Sequence, residues 1–165
     1  MARSAITIDL GAFRHNVRRL RRQLGGTQLW AVVKADAYGH GVRDCAIAAV
    51  EEGAAALCVA TAGEGLELRG VLPDVRIIVL GPIEDDELAS ARAAGLELVV
   101  AERIPEGVRV HVKLDTGMGR WGLSELAGLP DEIVGVMTHL ATADSDLAQA
   151  RVQLERFLAA TADLT

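Results

Sequence analysis

Short apolar runs alternate with amphipathic stretches along most of this 165-residue chain. The runs are rich in Val, Ile and Leu, which is typical of strands buried on both faces of a parallel sheet. The stretches between them place apolar residues three and four apart, the period of a helix that packs on a sheet. The pattern predicts six strands, over residues 29–36, 56–61, 75–81, 96–101, 108–116 and 132–140.

The first helix has the clearest limits of the predicted helices. Asp9 is suited to cap its N-terminus. Apolar residues follow at helical spacing from Leu10 to Leu24, and Gly25-Gly26 ends the pattern. Further helices are predicted over residues 42–51, 62–69 and 84–95, and in a closing segment that carries Leu147, Leu154, Phe157 and Leu158.

Strands that alternate with helices favour an α/β fold with a parallel sheet, either closed into a barrel or open and doubly wound. Six visible strands are fewer than the eight of a complete (β/α)8 barrel. The segment from Ala101 to Gly107 is also too short for a crossover helix, since a parallel crossover usually takes about 10–12 residues or more. We therefore expect either that the fourth strand is misassigned or that one helix is missing. No linker divides the chain, so we predict a single domain over residues 1–165.

The charge balance limits the classes of partner. Half of the residues are apolar and the net charge is -6, which argues against nucleic acid as the main partner. Several arginines of the first predicted helix fit a solvated helix face better than a nucleic-acid or membrane patch: Arg14, Arg18, Arg19, Arg21 and Arg22.

Neither a membrane span nor a metal site is predicted. No apolar segment is long enough to cross a bilayer, and Met1–Ser4 opens without the apolar stretch of a signal peptide. Cys45 and Cys58 lie in apolar surroundings without metal-ligand spacing, so we interpret them as small core residues in a reducing compartment. We expect a cytoplasmic location.

The two lysines of the chain are its most informative residues. The other fifteen basic residues are arginine, yet Lys34 and Lys113 both lie within apolar runs. Burial lowers the pKa of a lysine, and the neutral amine can attack a carbonyl group, which arginine cannot do. Structural roles fit the same positions, because Lys34 can reach solvent from a strand end and Lys113 can pair with Asp115.

Polar side chains follow three of the predicted strands, at the edge where parallel α/β sheets bind ligands. Lys34 is followed by the hydroxyl of Tyr38 in a turn that contains glycine. Lys113 is followed by Arg120, whose planar guanidinium suits a carboxylate or phenolate oxygen. His139 ends the sixth predicted strand, where a structural histidine is equally consistent with the pattern. These three segments are expected to converge on one rim.

Taken together, the segments resemble alanine racemase, a fold-type III pyridoxal phosphate enzyme. Residues 31–41, AVVKADAYGHG, look like the cofactor-attachment motif of that family, and residues 112–120, VKLDTGMGR, look like its second signature. Residues 138–141, THLA, with Asp144, look like its third. The resemblance spans nearly the whole chain and implies a partial or shortened TIM-type (β/α)8 barrel with about six parallel strands.

The resemblance also implies roles for individual residues. Lys34 would hold pyridoxal 5'-phosphate as an internal aldimine and then act as one of two acid/base groups. Tyr38 would hydrogen-bond the cofactor phosphate, and Arg120 would contact the phenolic oxygen and help to place the substrate carboxylate. Lys113 stands where many family members carry a carbamate that orients the arginine, and His139 would lie beside the cofactor ring.

The chain departs from the family pattern in length. Family members continue into further barrel strands and a β domain, which supplies the second catalytic base, a tyrosine, to the partner subunit's site. We expect these parts to be absent here, together with the helix between the fourth and fifth strands. Tyr38 is the sole tyrosine of the sequence and is matched to phosphate binding, so no residue is assigned as the opposite-face base.

Three hypotheses follow for function. The chain is an alanine racemase that interconverts L- and D-alanine for cell-wall peptidoglycan and is completed by another chain or segment; or it binds the cofactor without racemising; or it is an inert shortened scaffold. A Schiff-base aldolase explains the motifs less well. Exposed sheet edges also predict self-association, as a homo-oligomer or with a second chain that completes the site.

Overall fold

A computed structural model describes residues 4–126, 128–129 and 133–164 of the chain. The fold divides into two compact units, Met1–Leu96 and Glu97–Thr165, which are described separately. The single domain predicted over residues 1–165 remains a prediction. Most of the N-terminal segment interpreted above, Met1 to Arg3, lies outside the described residues.

The first unit contains three parallel strands with helices between them. β1 pairs with β2, placing Ala31 opposite Leu57, and β2 pairs with β3, placing Cys58 opposite Ile78. In chain order the elements are α1 (Leu10–Leu24), β1 (Trp30–Val32), α2 (Lys34–Gly39), α3 (Val42–Glu51), β2 (Ala56–Val59), α4 (Ala62–Val71), β3 (Ile77–Val79) and α5 (Asp85–Ala93).

Local sequence signals account for the helix limits in this unit. The side chain of Asp9 accepts a hydrogen bond from the N–H of Ala12, which confirms the predicted cap of α1. Strands β2 and β3 are buried throughout, and the buried face of α3 is built largely of alanine, so this helix can lie close to the sheet. Cys45 and Cys58 are buried in the core, as predicted, and burial raises the pKa of Cys45.

The second unit contains β4 (Glu97–Val100), β5 (Val110–Lys113), β6 (Ile133–Met137) and the closing helix α6 (Leu147–Ala160). The fourth strand is confirmed, since β4 pairs in parallel with β5 and places Leu98 opposite Val110. Residues 101–109, all described, contain no helix. The missing-helix alternative is therefore correct for this connection.

A buried pair of polar side chains joins β4 to β5 and constrains β6. His111 Nε2 lies 2.8 Å from Glu97 Oε2, and both side chains are almost fully buried. Gly135 pairs with His111, and a Cβ atom at position 135 would lie 2.9 Å from the imidazole Nδ1. The sequence needs glycine there because any side chain would meet this ring.

Several strands end earlier than predicted. Most of each polar segment therefore lies in the turn or loop after the strand. β1 ends at Val32 instead of residue 36, and β5 ends at Lys113 instead of residue 116. The sixth predicted strand begins at residue 132, which lies outside the described residues, and ends at Met137 instead of residue 140. Among the residues that the structure places, none of the helices has the length and apolar character needed to cross a bilayer.

Candidate functional site

Lys34 lies two residues beyond the end of β1, at the start of α2. Its side chain is half-buried, and Nζ lies 6.0 Å from the centre of the Tyr38 ring. Tyr38 is 59% exposed, so its hydroxyl is open to a ligand. The structure thus brings together the two residues of the first predicted motif at the C-terminal end of a parallel strand.

The backbone after Lys34 is left-handed, which the sequence analysis did not predict. Ala35, Asp36, Ala37 and Tyr38 have φ between 51° and 56° and ψ between 37° and 53°. For residues with a Cβ atom this conformation costs about 1–2 kcal/mol each and is rarely consecutive. Strain of this kind persists only where the surroundings enforce it, and it clusters at functional sites.

Hydrogen bonds around the left-handed turn show what enforces it. The carbonyl of Val33 accepts the N–H of Ala37 at 2.9 Å, and the Asp36 carboxylate accepts the N–H of Val42 at 2.7 Å. His40 Nδ1 lies 2.7 Å from the carbonyl oxygen of Ala37. The Asp36 side chain thereby links the turn to the start of α3.

Lys113 ends β5 and is buried, with 5% of its surface exposed. Nζ donates hydrogen bonds to the carbonyl of Arg120 at 2.9 Å and to that of Trp121, and lies 5.5 Å from the Trp121 ring centre. Burial lowers the pKa of Lys113, the positive charge of Arg120 lowers it further, and Asp115 opposes them. The amine therefore closes the loop that follows its own strand.

Asp115 organises the Gly-rich part of the same loop. Its Oδ1 accepts the N–H groups of Gly117, Met118 and Gly119 at 2.8–3.1 Å. These bonds, led by the one from Gly117, hold the pKa of the Asp115 carboxyl below its usual value against the opposing effect of burial. A carboxylate that accepts several backbone N–H groups in this way fixes the turn.

Acid is expected to weaken the second unit through Asp115. Because the folded-state pKa is lowered, the stabilisation by Asp115 is present above its unfolded pKa of about 3.9 and is lost as the pH falls through the folded value. Asp115→Asn should cost about 1 kcal/mol at pH 7, since charge-assisted bonds become neutral ones. The difference from wild type should shrink at acid pH.

Urea denaturation at pH 7 and at pH 3 measures this difference. Asp163→Asn, which removes an exposed carboxylate near the end of the same unit, is the matched control. A difference between wild type and Asp115→Asn that does not change with pH would contradict the assigned role.

Arg120 presents its side chain at the surface while its carbonyl is held by Lys113. The next residue, Trp121, has φ 33°, and a Cβ atom on Gly122 would lie 2.8 Å from the backbone nitrogen of Asp115. The loop that carries Arg120 is therefore tightly closed. Arg120 is positioned through its backbone, and its fork remains free to meet an anionic group.

His139 follows β6 and is exposed, with its backbone tied to helix α6. Gln153, fully buried, donates Nε2 to the carbonyl of His139 and to the hydroxyl of Thr116, and accepts the N–H of Ala141. The Thr116 hydroxyl lies 2.8 Å from that of Thr138. These polar contacts fix the ends of β5 and β6 side by side.

Two residues with buried or shared polar contacts, one in each unit, are not among the residues predicted from the sequence. Gln153 could have been noticed as an amide on the buried face of an amphipathic helix. Glu64 could have been noticed from the Thr61-x-x-Glu64 spacing, which is the pattern of a helix capping box and is formed at the start of α4. Among the residues described, no cluster of three or more His, Cys, Asp or Glu side chains could hold a metal ion.

The chain is similar to known proteins both in sequence and in fold. Residues 8–165 match the family described as alanine racemase, N-terminal domain. The chain is 41% identical to the alanine racemase of Symbiobacterium thermophilum over 95% of this chain and 48% of that protein. It is 47% identical to that of Xanthomonas campestris over 83% and 43%.

Solved structures give the same result for the fold. The alanine racemase from E. faecalis superposes with a TM-score of 0.82 at 32% identity, over 96% of this chain and 50% of that one. That from Streptomyces coelicolor gives 0.82 at 35% identity, over 94% and 49%. The predicted fold class, a partial barrel with six parallel strands, is confirmed. The chain spans about half the length of the curated relatives it matches.

Proposed function

The chain belongs to the alanine racemase N-terminal domain family, and on this premise we propose that it carries the cofactor-attaching part of an enzyme that interconverts L- and D-alanine. The observation that supports this most directly is the position of Lys34 at the C-terminal end of β1, on a left-handed turn held by hydrogen bonds. This position places a primary amine at the end of a parallel strand, which is an observation separate from the family match.

The residues of the first unit fit pyridoxal 5'-phosphate by the chemistry of their donors. Lys34 offers a half-buried primary amine, which can bind the aldehyde covalently, and the exposed Tyr38 hydroxyl can donate to a phosphate oxygen. When bound, the cofactor withdraws electrons from the substrate Cα and so makes its proton removable by a modest base. The Lys34 amine would then hold or return that proton on one face.

The second unit, taken by itself, presents residues with the chemistry to meet anionic groups of a cofactor or substrate. The exposed guanidinium of Arg120 can contact a phenolic oxygen or a carboxylate with paired N–H groups. His139 would lie beside the cofactor ring. The carbamate predicted at Lys113 remains a prediction, and forming it would require Nζ to release at least one of the two carbonyls it now contacts.

Racemisation requires a proton-transfer group on each face of the substrate plane, and Lys34 serves one face. These 165 residues contain a single tyrosine, Tyr38, which is proposed to bind phosphate. We therefore expect the isolated chain to racemise alanine weakly or not at all, and the second base to come from another segment or chain. A role in cell-wall precursor supply and a cytoplasmic location remain predictions.

The proposal is tested by titrating the chain with pyridoxal phosphate, reducing with borohydride and mapping the labelled peptides. Label confined to Lys34 supports the proposal, and a racemase assay of the same preparation then separates binding from turnover. Label spread over both lysines and the N-terminus would mean that the motif persists without a binding site. Family-like racemisation by the isolated chain would overturn the claim of a missing base.

Self-association is expected because α6 presents apolar side chains to solvent. Leu147, Leu154 and Leu158 lie on one face of the helix and are 65%, 45% and 58% exposed. Light scattering should show a mass that rises with concentration, and Leu154→Glu with Leu158→Glu should shift the chain towards monomer. Leu20→Glu, at an exposed position of α1, is the control. A wild-type chain that stays monomeric at high concentration would contradict this expectation.

A further inference from the structure

Glu64 connects the segments that follow two neighbouring strands of the first unit. Its Oε1 accepts the N–H of Ala35 at 2.8 Å, and its Oε2 accepts the N–H of Ala60 at 2.7 Å. Ala35 comes directly after Lys34, and Ala60 comes directly after β2, which pairs with β1. One carboxylate thus ties the peptide that follows the cofactor lysine to the end of the next strand.

This contact lies outside the helix α4 to which Glu64 belongs. A capping box is satisfied when the side chain of Thr61 accepts the N–H of Glu64 and the Glu64 carboxylate accepts the N–H of Thr61, and both contacts are present. The N–H of Thr61 is 3.4 Å from Oε2, whereas the Ala35 and Ala60 contacts are shorter. Glu64 therefore serves more than the cap.

The contact also falls where the backbone is strained. The N–H of Ala35 belongs to the peptide plane that joins Lys34 to the first left-handed residue, and Ala35 has φ 51°. The Asp36 carboxylate fixes the far side of the turn, towards α3. The charge-assisted hydrogen bond from the Ala35 N–H to Glu64 holds the orientation of the Lys34–Ala35 peptide. That orientation sets the direction in which the Lys34 side chain leaves the backbone.

We propose that Glu64 is a positioning residue for Lys34, which acts by holding the peptide after the lysine in the orientation that presents its amine to the cofactor. The proposal rests on the proposed function of Lys34. Glu64 does not contact the reacting atoms, and its effect passes through the Lys34–Ala35 peptide. A shorter side chain at position 64 cannot reach that peptide, and a neutral one holds it less strongly.

The experiment uses the full chain with four variants and two readouts. The first readout is the hydrogen exchange rate of the Ala35 amide by NMR, which needs no cofactor. The second is the rate at which pyridoxal phosphate labels Lys34 before borohydride reduction. Glu64→Ala removes both acceptor oxygens, Glu64→Gln keeps one, and Glu67→Ala is the matched control on the exposed side of the same helix. Thr61→Ala weakens the cap while leaving the Glu64 carboxylate in place.

In Glu64→Ala the Ala35 amide should exchange faster, and pyridoxal phosphate should label Lys34 roughly tenfold more slowly. A reacting group misplaced by about 1 Å can lower a reaction rate about a hundredfold. Glu64→Gln should be intermediate in both readouts. Glu67→Ala and Thr61→Ala should match wild type in both, although Thr61→Ala lowers the melting temperature by circular dichroism.

Three results would overturn the proposal. The first is exchange of the Ala35 amide at the wild-type rate in Glu64→Ala. The second is a labelling rate that Thr61→Ala lowers as much as Glu64→Ala does. The third is a change in the exchange rate of Glu64→Ala without a change in its labelling rate. If wild type does not label at Lys34 at all, the proposed function fails, and the exchange readout alone still decides whether Glu64 holds the turn.

Discussion

Lys34→Ala is expected to abolish covalent attachment of pyridoxal phosphate and the visible absorbance band that accompanies it. The reason is chemical, because alanine offers no amine and arginine is too basic to replace it. Lys113, the other lysine, is buried and holds two backbone carbonyls, so it cannot substitute without opening its loop. We expect loss of the band and no cofactor mass on any peptide after borohydride reduction.

Tyr38→Phe provides the matched variant for this measurement. It keeps Lys34 and the aromatic ring beside it but removes the exposed hydroxyl proposed to bind phosphate. Labelling of Lys34 should therefore persist at a higher cofactor concentration. If Lys34→Ala bound and absorbed like its parent, the attachment site would lie elsewhere and the assignment of the first motif would be wrong.

Lys113→Met is expected to destabilise the second unit by about 2–4 kcal/mol. Methionine fills a similar volume, but the part-buried carbonyls of Arg120 and Trp121 lose their donor, and an acceptor left unsatisfied costs about 1–3 kcal/mol. Lys113→Ala should cost more, because it adds a cavity. In both variants Arg120 loses the contact that places its backbone, so cofactor affinity should also fall.

Urea denaturation followed by the fluorescence of Trp121, in a Trp30→Phe background, measures the change. The pH dependence adds an independent test, since the folded state lowers the pKa of Lys113 below an unfolded value of about 10.4. The unfolded chain then binds more protons between the two values, and wild type gains stability as the pH rises through that window. Lys113→Met should lack that gain, and equal stability of the two proteins at pH 7 would contradict the assigned contacts.

Where a signal in the sequence is local, the structure follows it closely. The limits of α1 were predicted correctly because a capping aspartate and a terminal glycine pair act on the residues beside them. The assignments of β2, β3 and β4 are confirmed for a similar reason, since buried Val, Ile and Leu runs leave little choice of element. The short segment from Ala101 to Gly107 left two alternatives, a misassigned fourth strand or a missing helix, and the pairing of β4 with β5 decides for the missing helix.

The candidate site was harder to predict, because its geometry depends on contacts between distant residues. The strand predicted over 29–36 continues through Lys34 by propensity, yet the chain turns left-handed at Ala35, where a carboxylate from position 64 meets it. The predicted alternative of a Lys113–Asp115 pair corresponds to an electrostatic attraction in the structure, but the hydrogen bonds given above for both side chains go to the backbone. Lys113 binds carbonyls and Asp115 binds N–H groups, and neither pattern of partners can be read from residue types.

The helix-free connection between β4 and β5 changes how the second unit can assemble. Leu98 pairs with Val110, twelve residues later, whereas Ala31 and Leu57 of the first unit are separated by twenty-six. The entropy lost on closing a loop grows with the logarithm of its length, so bringing β4 to β5 costs less than forming an ordinary parallel pair. Parallel sheets are slow to fold because their contacts are distant in sequence. Without a crossover helix, the β4–β5 pair is the most local strand pairing described in this unit, and we expect it to form earlier than the pairing of β1 with β2.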